Sequence, residues 1–267
     1  MDIKYFTRKS HRYNEDRFVI GKNYVLILDG ATSLYKTDDR PTSGSWFANF
    51  IKSHLKPYEE DIIASLNRIS QLAFEERVSS LNAKNISYLP TAGIAAAVFK
   101  EKEIHLYHIG DCGIAVFCKN NTSHLFVQPA LKALDQRVIE DMKRISLEKN
   151  ISVLATRSFV NDSLIRNRCL ANTEDGYPVF SISPSPDFAF SHEVISLDNV
   201  KSISLFTDGF SSSWEILDIY STYKEAFDHP IEYTIEKIRD ISYKDRYCNK
   251  YPRFKTIDDI TAIVVNF

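Results

Sequence analysis

Glycine is scarce in this chain, at eight of 267 residues. Four of the eight, Gly30, Gly110, Gly176 and Gly209, directly adjoin an aspartate. Such placement suggests tight strand-to-loop turns where a ligand approaches the backbone. Cysteine is equally sparse: Cys112, Cys118, Cys169 and Cys248 form no C-x-x-C pair, which excludes the usual zinc spacings. A chain this long needs no disulfide staples, so reduced thiols and a cytoplasmic setting are expected. No apolar stretch approaches the roughly 18 residues of a membrane span. The opening Met1–Arg8 lacks the apolar core of a signal peptide, so no membrane association is expected. Neither sign of charge dominates: 33 Lys and Arg face 35 Asp and Glu, which gives no general drive toward nucleic acid. No repeat, low-complexity tract or linker divides the chain, so residues 1–267 are expected to form one domain.

What is present is a set of acids at the ends of apolar runs. Val25–Leu28 ends in Asp29-Gly30, Leu106–Ile109 in Gly110-Asp111, and Ile203–Phe206 in Thr207-Asp208-Gly209. Asp258-Asp259 precedes the run Ile260–Val265. Short β-branched runs bounded by glycine read as buried strands. A carboxylate at a buried strand end is costly unless a cation answers it. Repeated along the chain, the pattern points to a metal centre of carboxylates, which suits hard divalent ions such as Mg²⁺ or Mn²⁺.

Strands are expected at 17–20 and 24–28, joined by Gly21-Lys22-Asn23 as a hairpin, and at 93–99, 104–109 and 114–118. Further strands are expected at 188–196, 202–207 and 260–265. Helical spacing marks Trp46, Phe47, Phe50, Ile51 and Leu55, then 59–81 with Ile62, Leu66, Ile69, Ala73 and Leu81. Helices are also expected over 131–148, 214–227 and 231–242. The stretch 156–187 is polar and turn-rich and reads as loop. This order lacks strict βαβ alternation and favours an α+β layered architecture with antiparallel sheets.

Five short motifs, in order, resemble those of the PPM (PP2C-type) metal-dependent Ser/Thr protein phosphatases. They are Asn14-Glu15-Asp16-Arg17, Leu28-Asp29-Gly30-Ala31, Ile109-Gly110-Asp111-Cys112, Phe206-Thr207-Asp208-Gly209 and Asp258-Asp259-Ile260-Thr261. Each is weak alone; together they span the chain, as in a bacterial-type catalytic domain. The resemblance implies a four-layer α/β-sandwich, two antiparallel sheets flanked by helices, with a variable flap in about 128–192. It implies two core Mg²⁺ or Mn²⁺ ions and a third, looser one. Asp29 would bridge the two ions, the Gly30 carbonyl would bind one, and Asp208 and Asp258 the other. Glu15 and Asp16 would act through water, Asp111 with Asp208 would hold the third ion, and Asp259 would support from outside. The implied reaction is hydrolysis of phosphoserine or phosphothreonine by metal-activated water. The implied partners are phosphoproteins, substrates of a Ser/Thr kinase, and a monomer is expected.

The chain also departs from the pattern. Where the family carries a phosphate-gripping Arg, four residues before the Glu, stands His11, with Arg12 next to it. Either His11 or Arg12 is left to bind phosphate, and only Arg offers bidentate contacts. Ala31 stands where some members have an acidic His, and Cys112 replaces the usual Ser. These departures motivate an alternative: a catalytically weak phosphatase-like binding or regulatory module. A metal phosphoesterase of another fold ranks last, because D-x-D and D-x-H starts are absent at Asp29. His108 and Cys112 read as core residues. Lys4, Arg8, Lys9 and Arg12 could draw phosphorylated segments, whereas Lys244, Arg246, Lys250, Arg253 and Lys255 read as a solvated charged surface.

Overall fold

The chain begins with a strand that its polar composition conceals. In the computed structural model, which describes residues 1–32, 41–78 and 89–267, β1 is Asp2–Arg8. It is followed by β2 (Asp16–Ile20), β3 (Tyr24–Ala31), α1 (Ser43–His54) and α2 (Ile62–Val78). Next come β4 (Thr91–Phe99), β5 (Glu103–Ile109), β6 (Gly113–Cys118), β7 (Ser123–Phe126), α3 (Pro129–Lys149) and α4 (Asn161–Cys169). The chain closes with β8 (Phe180–Ser181), β9 (Ser191–Ser196), β10 (Val200–Phe206), α5 (Asp208–Glu215), α6 (Tyr223–Phe227), α7 (Ile231–Lys244) and β11 (Ile260–Asn266).

Among the described residues two antiparallel sheets form. One runs β1-β11-β10-β6-β7; the other runs β2-β3-β4-β5-β9, with β8 beside β4. Period-two alternation then sorts side chains into layers. Val25 and Ile27 of β3 face Ile114, Leu205 and Ile263 between the sheets. Tyr24, Leu26 and Leu28 face Phe47, Ile51 and Leu66 of α1 and α2 on one outer side. On the other, Phe206 and Ala262 pack against Phe210 of α5 and Ile235 and Ile238 of α7. Strands covered on both faces therefore read as continuous apolar runs. The expected α+β sandwich of two antiparallel sheets flanked by helices is the observed architecture.

Several boundaries differ from expectation, for physical reasons. The helix expected over 214–227 is two: α5 begins directly at Asp208, where Ser211, Ser212 and Ser213 donate back to the carbonyls of Asp208, Gly209 and Phe210. The polar run 156–187 contains a 3₁₀ helix at Leu154–Val160 and then α4. Their few apolar side chains, Val160 and Leu164, pack on Val138 and Met142 of α3. Helix α3 itself starts at Pro129 and stops at Asn150 in the left-handed conformation. The expected second helix is seen over Ile62–Val78, and Leu81 lies outside the described residues. No described helix is long and apolar enough to cross a membrane.

Candidate metal centre

The acids meet at one end of the sandwich, because the elements bearing them end there. Asp16 and Asp29 are direct cross-strand partners on β2 and β3. Like charges so placed repel unless something compensates. Gly93 lies opposite Asp29 on β4, and a side chain there would collide with Asp111 Oδ1. Gly110, at φ +76°, makes the turn that carries Asp111 from β5 back under β4. Asp208 follows β10 and heads α5. The carboxylates of Asp29, Asp111 and Asp208 each offer an oxygen within 4.8 Å of the others. Asp258 is adjacent but tied differently: its Oδ1 accepts from Lys255 Nζ at 2.6 Å.

Around this trio the remaining acids are held from behind. Asp16 is 1% exposed; its Oδ2 accepts from Thr207 Oγ1 at 3.0 Å, and Thr207 Oγ1 accepts from the Thr261 amide at 3.1 Å. Glu15 Oε1 accepts from the hydroxyls of Thr32 and Thr42. Asp259 is buried and accepts from the Ser10 amide and hydroxyl and the Glu15 amide, at 2.6–2.8 Å. It thereby clamps both ends of the segment that bears His11 and Arg12. Those two side chains are exposed, with the Arg12 guanidinium 5.4 Å from the Tyr13 ring centroid.

The charges are mutually unfavourable as they stand. Burial first, and then neighbouring acids, push Asp16, Asp29 and Asp208 well above the usual carboxylate range. Asp111 is raised chiefly by burial as well. Oδ1 of Asp208 and Oδ1 of Asp16 are buried without a hydrogen-bond partner. Unsatisfied carboxylate oxygens that converge with only oxygen donors beside them fit a hard divalent cation. Cys112 adds no ligand: it is fully buried, and burial and the nearby acids keep its thiol protonated.

The cleft beside the centre, of about 540 Å³, is lined by Asp111, Asp135, Asp208, Asp258 and Lys255, with Lys132 further out. Two groups of the cleft, Asp135 and Lys255, and a third near it, Arg168, were not legible as site residues. Asp135 on α3 is pushed up to about 7 by burial and then by Asp111, against the pull of Arg168 and Arg157. Arg168 on α4 donates to the Thr91 hydroxyl and, at 3.0 Å, to the Thr32 carbonyl, binding the helical insert to the strand ends. Lys255 belongs to the cluster expected to be solvated surface, as does Arg253. Arg253 instead is 8% exposed and pairs with Asp245 at 2.8 Å. Polar periodicity does not mark these residues, since tertiary packing alone brings them to the acids. His108 is buried, and burial lowers its imidazole, as expected of a core histidine.

The sequence profile of a family described as Protein phosphatase 2C matches residues 7–240. Among solved structures, the Serine/threonine phosphatase Stp1 from Staphylococcus aureus superposes with a TM-score of 0.57 at 14% identity, covering 100% of this chain and 94% of that one. The Mycobacterium tuberculosis serine/threonine phosphatase PstP/Ppp gives 0.55 at 13% identity, covering 99% and 98%. The catalytic domain of serine threonine protein phosphatase PstP, in complex with 2 manganese ions, gives 0.52 at 12% identity, covering 99% and 97%. Among curated proteins none matches closely enough to count as a relative.

Proposed function

Because the chain belongs to the protein phosphatase 2C family, we propose that it hydrolyses phosphoserine or phosphothreonine in proteins with Mg²⁺ or Mn²⁺ as cofactor. The convergence of Asp29, Asp111 and Asp208 within 4.8 Å carries this reading. The two manganese ions of the PstP catalytic domain support two core ions here. Asp29 and the Gly30 carbonyl would hold one, Asp29 with Asp208 and Asp258 the other, and Asp111 with Asp208 a third, looser one. When bound, such ions supply an acidified water and positive charge against the phosphoryl oxygens.

The chain's own groups do the rest. Thr207 fixes Asp16, and the Thr32 and Thr42 hydroxyls fix Glu15, so both can orient water at the centre. Asp259 holds the Ser10–Glu15 segment, which would present Arg12 or His11 to the phosphate. Ala31 offers no proton, so the leaving oxygen takes its proton from water. The 128–192 segment would shape access for phosphoproteins made by a Ser/Thr kinase. We place the protein in the cytoplasm as a single-domain monomer.

Pure protein with Mn²⁺ should cleave an aryl phosphate and a phosphothreonine peptide, and chelator should stop both. Asp208→Asn should lower kcat by roughly 10²–10³-fold or more with an unchanged circular dichroism spectrum. Absence of turnover on both substrates would sink the reading. Phosphopeptide binding without turnover would favour the binding-module alternative, against which the intact acid set argues.

A further inference from the structure

Lys255 is anchored at its backbone, while its side chain is half exposed. Its backbone lies between Arg253 and Ile257, both buried. Arg253 donates to the carbonyls of Thr256, Tyr251, Ser242 and Asp245 and to the Asp245 carboxylate, which fixes the whole 245–257 segment. The Lys255 stem is about half exposed, at 52%, yet Nζ is turned inward onto Asp258 Oδ1 at 2.6 Å. Its charge also bears on Asp208, Asp29 and Asp111, the trio that converges on one point. Asp258 lies outside that trio, and its Oδ1 accepts from Lys255 Nζ and, at 2.9 Å, from the Asp259 amide.

We infer that Lys255 is a tethered cation that competes with the divalent metal for Asp258 and Asp208, and so sets the metal concentration at which the centre fills. This deepens the proposed function and rests on it. The argument is electrostatic. One positive charge on a fixed backbone neutralises part of a cluster whose acids otherwise repel one another. A divalent ion entering the same carboxylates must first displace that charge, and the flexible four-carbon stem lets the ammonium leave without moving the loop. The tether therefore stabilises the protein when metal is scarce and weakens metal affinity by the same interaction, as linkage requires. Because the stem is half exposed, solvent screens part of the effect, and the change expected is moderate.

The test is Mn²⁺ binding by isothermal titration on wild type, Lys255→Met and Lys255→Arg, with thermal melts in chelator and in saturating Mn²⁺. Lys255→Met should bind Mn²⁺ about two- to fivefold more tightly, whereas Lys255→Arg, which keeps the charge, should stay near wild type. In chelator Lys255→Met should melt below wild type, and saturating Mn²⁺ should close that gap. Unchanged or weaker Mn²⁺ binding by Lys255→Met overturns the inference and leaves the metal-dependent phosphatase reading intact. If wild type and both variants bind no Mn²⁺, the metal centre itself is wrong and the inference falls with it.

Discussion

Asp135 sits on α3 facing groups of both signs, and burial is the largest influence on it, ahead of Asp111, Arg168 and Arg157. A carboxyl held at about 7 in the folded protein, against about 3.9 unfolded, favours the folded state fully below about pH 4. That contribution is lost as pH rises through 7. Asp135→Asn should therefore be more stable than wild type at pH 8, by about 1–3 kcal/mol, and about equal to it only at about pH 3.5, below the unfolded value. Scanning calorimetry at the two pH values checks this; an equal difference at both would show that Asp135 titrates normally. At this scale the sequence was informative where a single residue carries its own context. Asp29, Asp111, Asp208 and Asp258 are legible because each bounds an apolar run. Asp135 is one more polar position on an amphipathic helix, and its environment is made by Arg168 and Asp111, which the fold brings from elsewhere. Gly93 is similarly silent, since its need for no side chain arises only once Asp111 lies over it.

Whole elements were legible when both faces or one clear stripe of them are buried. Strand β3 and helix α1 are such cases, and their expected and observed positions agree closely. The edge strand β1 was not, because its burial is slight and its partner is the far end of the chain, with Asp2 opposite Asn266. The segment that follows α7 is the other instructive case. Its cluster of basic residues reads as surface, yet Arg253 turns inward and organises it through Asp245, with side-chain exposures of only 9% and 13%. Breaking such a pair leaves an uncompensated charge, so Arg253→Ala should cost about 3–5 kcal/mol and lower Tm on the order of 10 °C. Burial alone would raise Asp245, but Arg253 and the amides of Lys250 and Tyr251 outweigh it and hold its carboxyl below the usual range. Its contribution is thus present above about pH 4 and lost as pH falls further, so the gap between variant and wild type should shrink in acid. A melt series from pH 3 to 7 reads this, and a gap that is constant across it would show that Asp245 and Arg253 are not coupled.

At the scale of the molecule, the centre is where the two sheets are joined. Asp16 and Asp29 belong to one sheet, and Asp208 and Asp258 adjoin strands of the other. Asp111 lies in the turn from β5 to β6, where the chain crosses between them. The layered class was readable from the order of hairpins and helix pairs. The pairing that makes the site was not, since nothing local ties β11 to both β1 and β10. Without a divalent ion the acids on the two sheets repel across this seam, and each is raised by the others after burial. An ion held by acids of both sheets would convert that repulsion into a cross-link, and it binds only the folded chain. Mn²⁺ at about a hundred times its Kd should then add roughly 2.7 kcal/mol, or about 5–10 °C in Tm. The rise should be graded with Mn²⁺ concentration, reversed by chelator, and absent in Asp29→Asn and Asp208→Asn. A metal bound instead at a peripheral carboxylate would raise the Tm of those two variants as much as that of wild type. Either result can be read from melting curves alone, without any substrate.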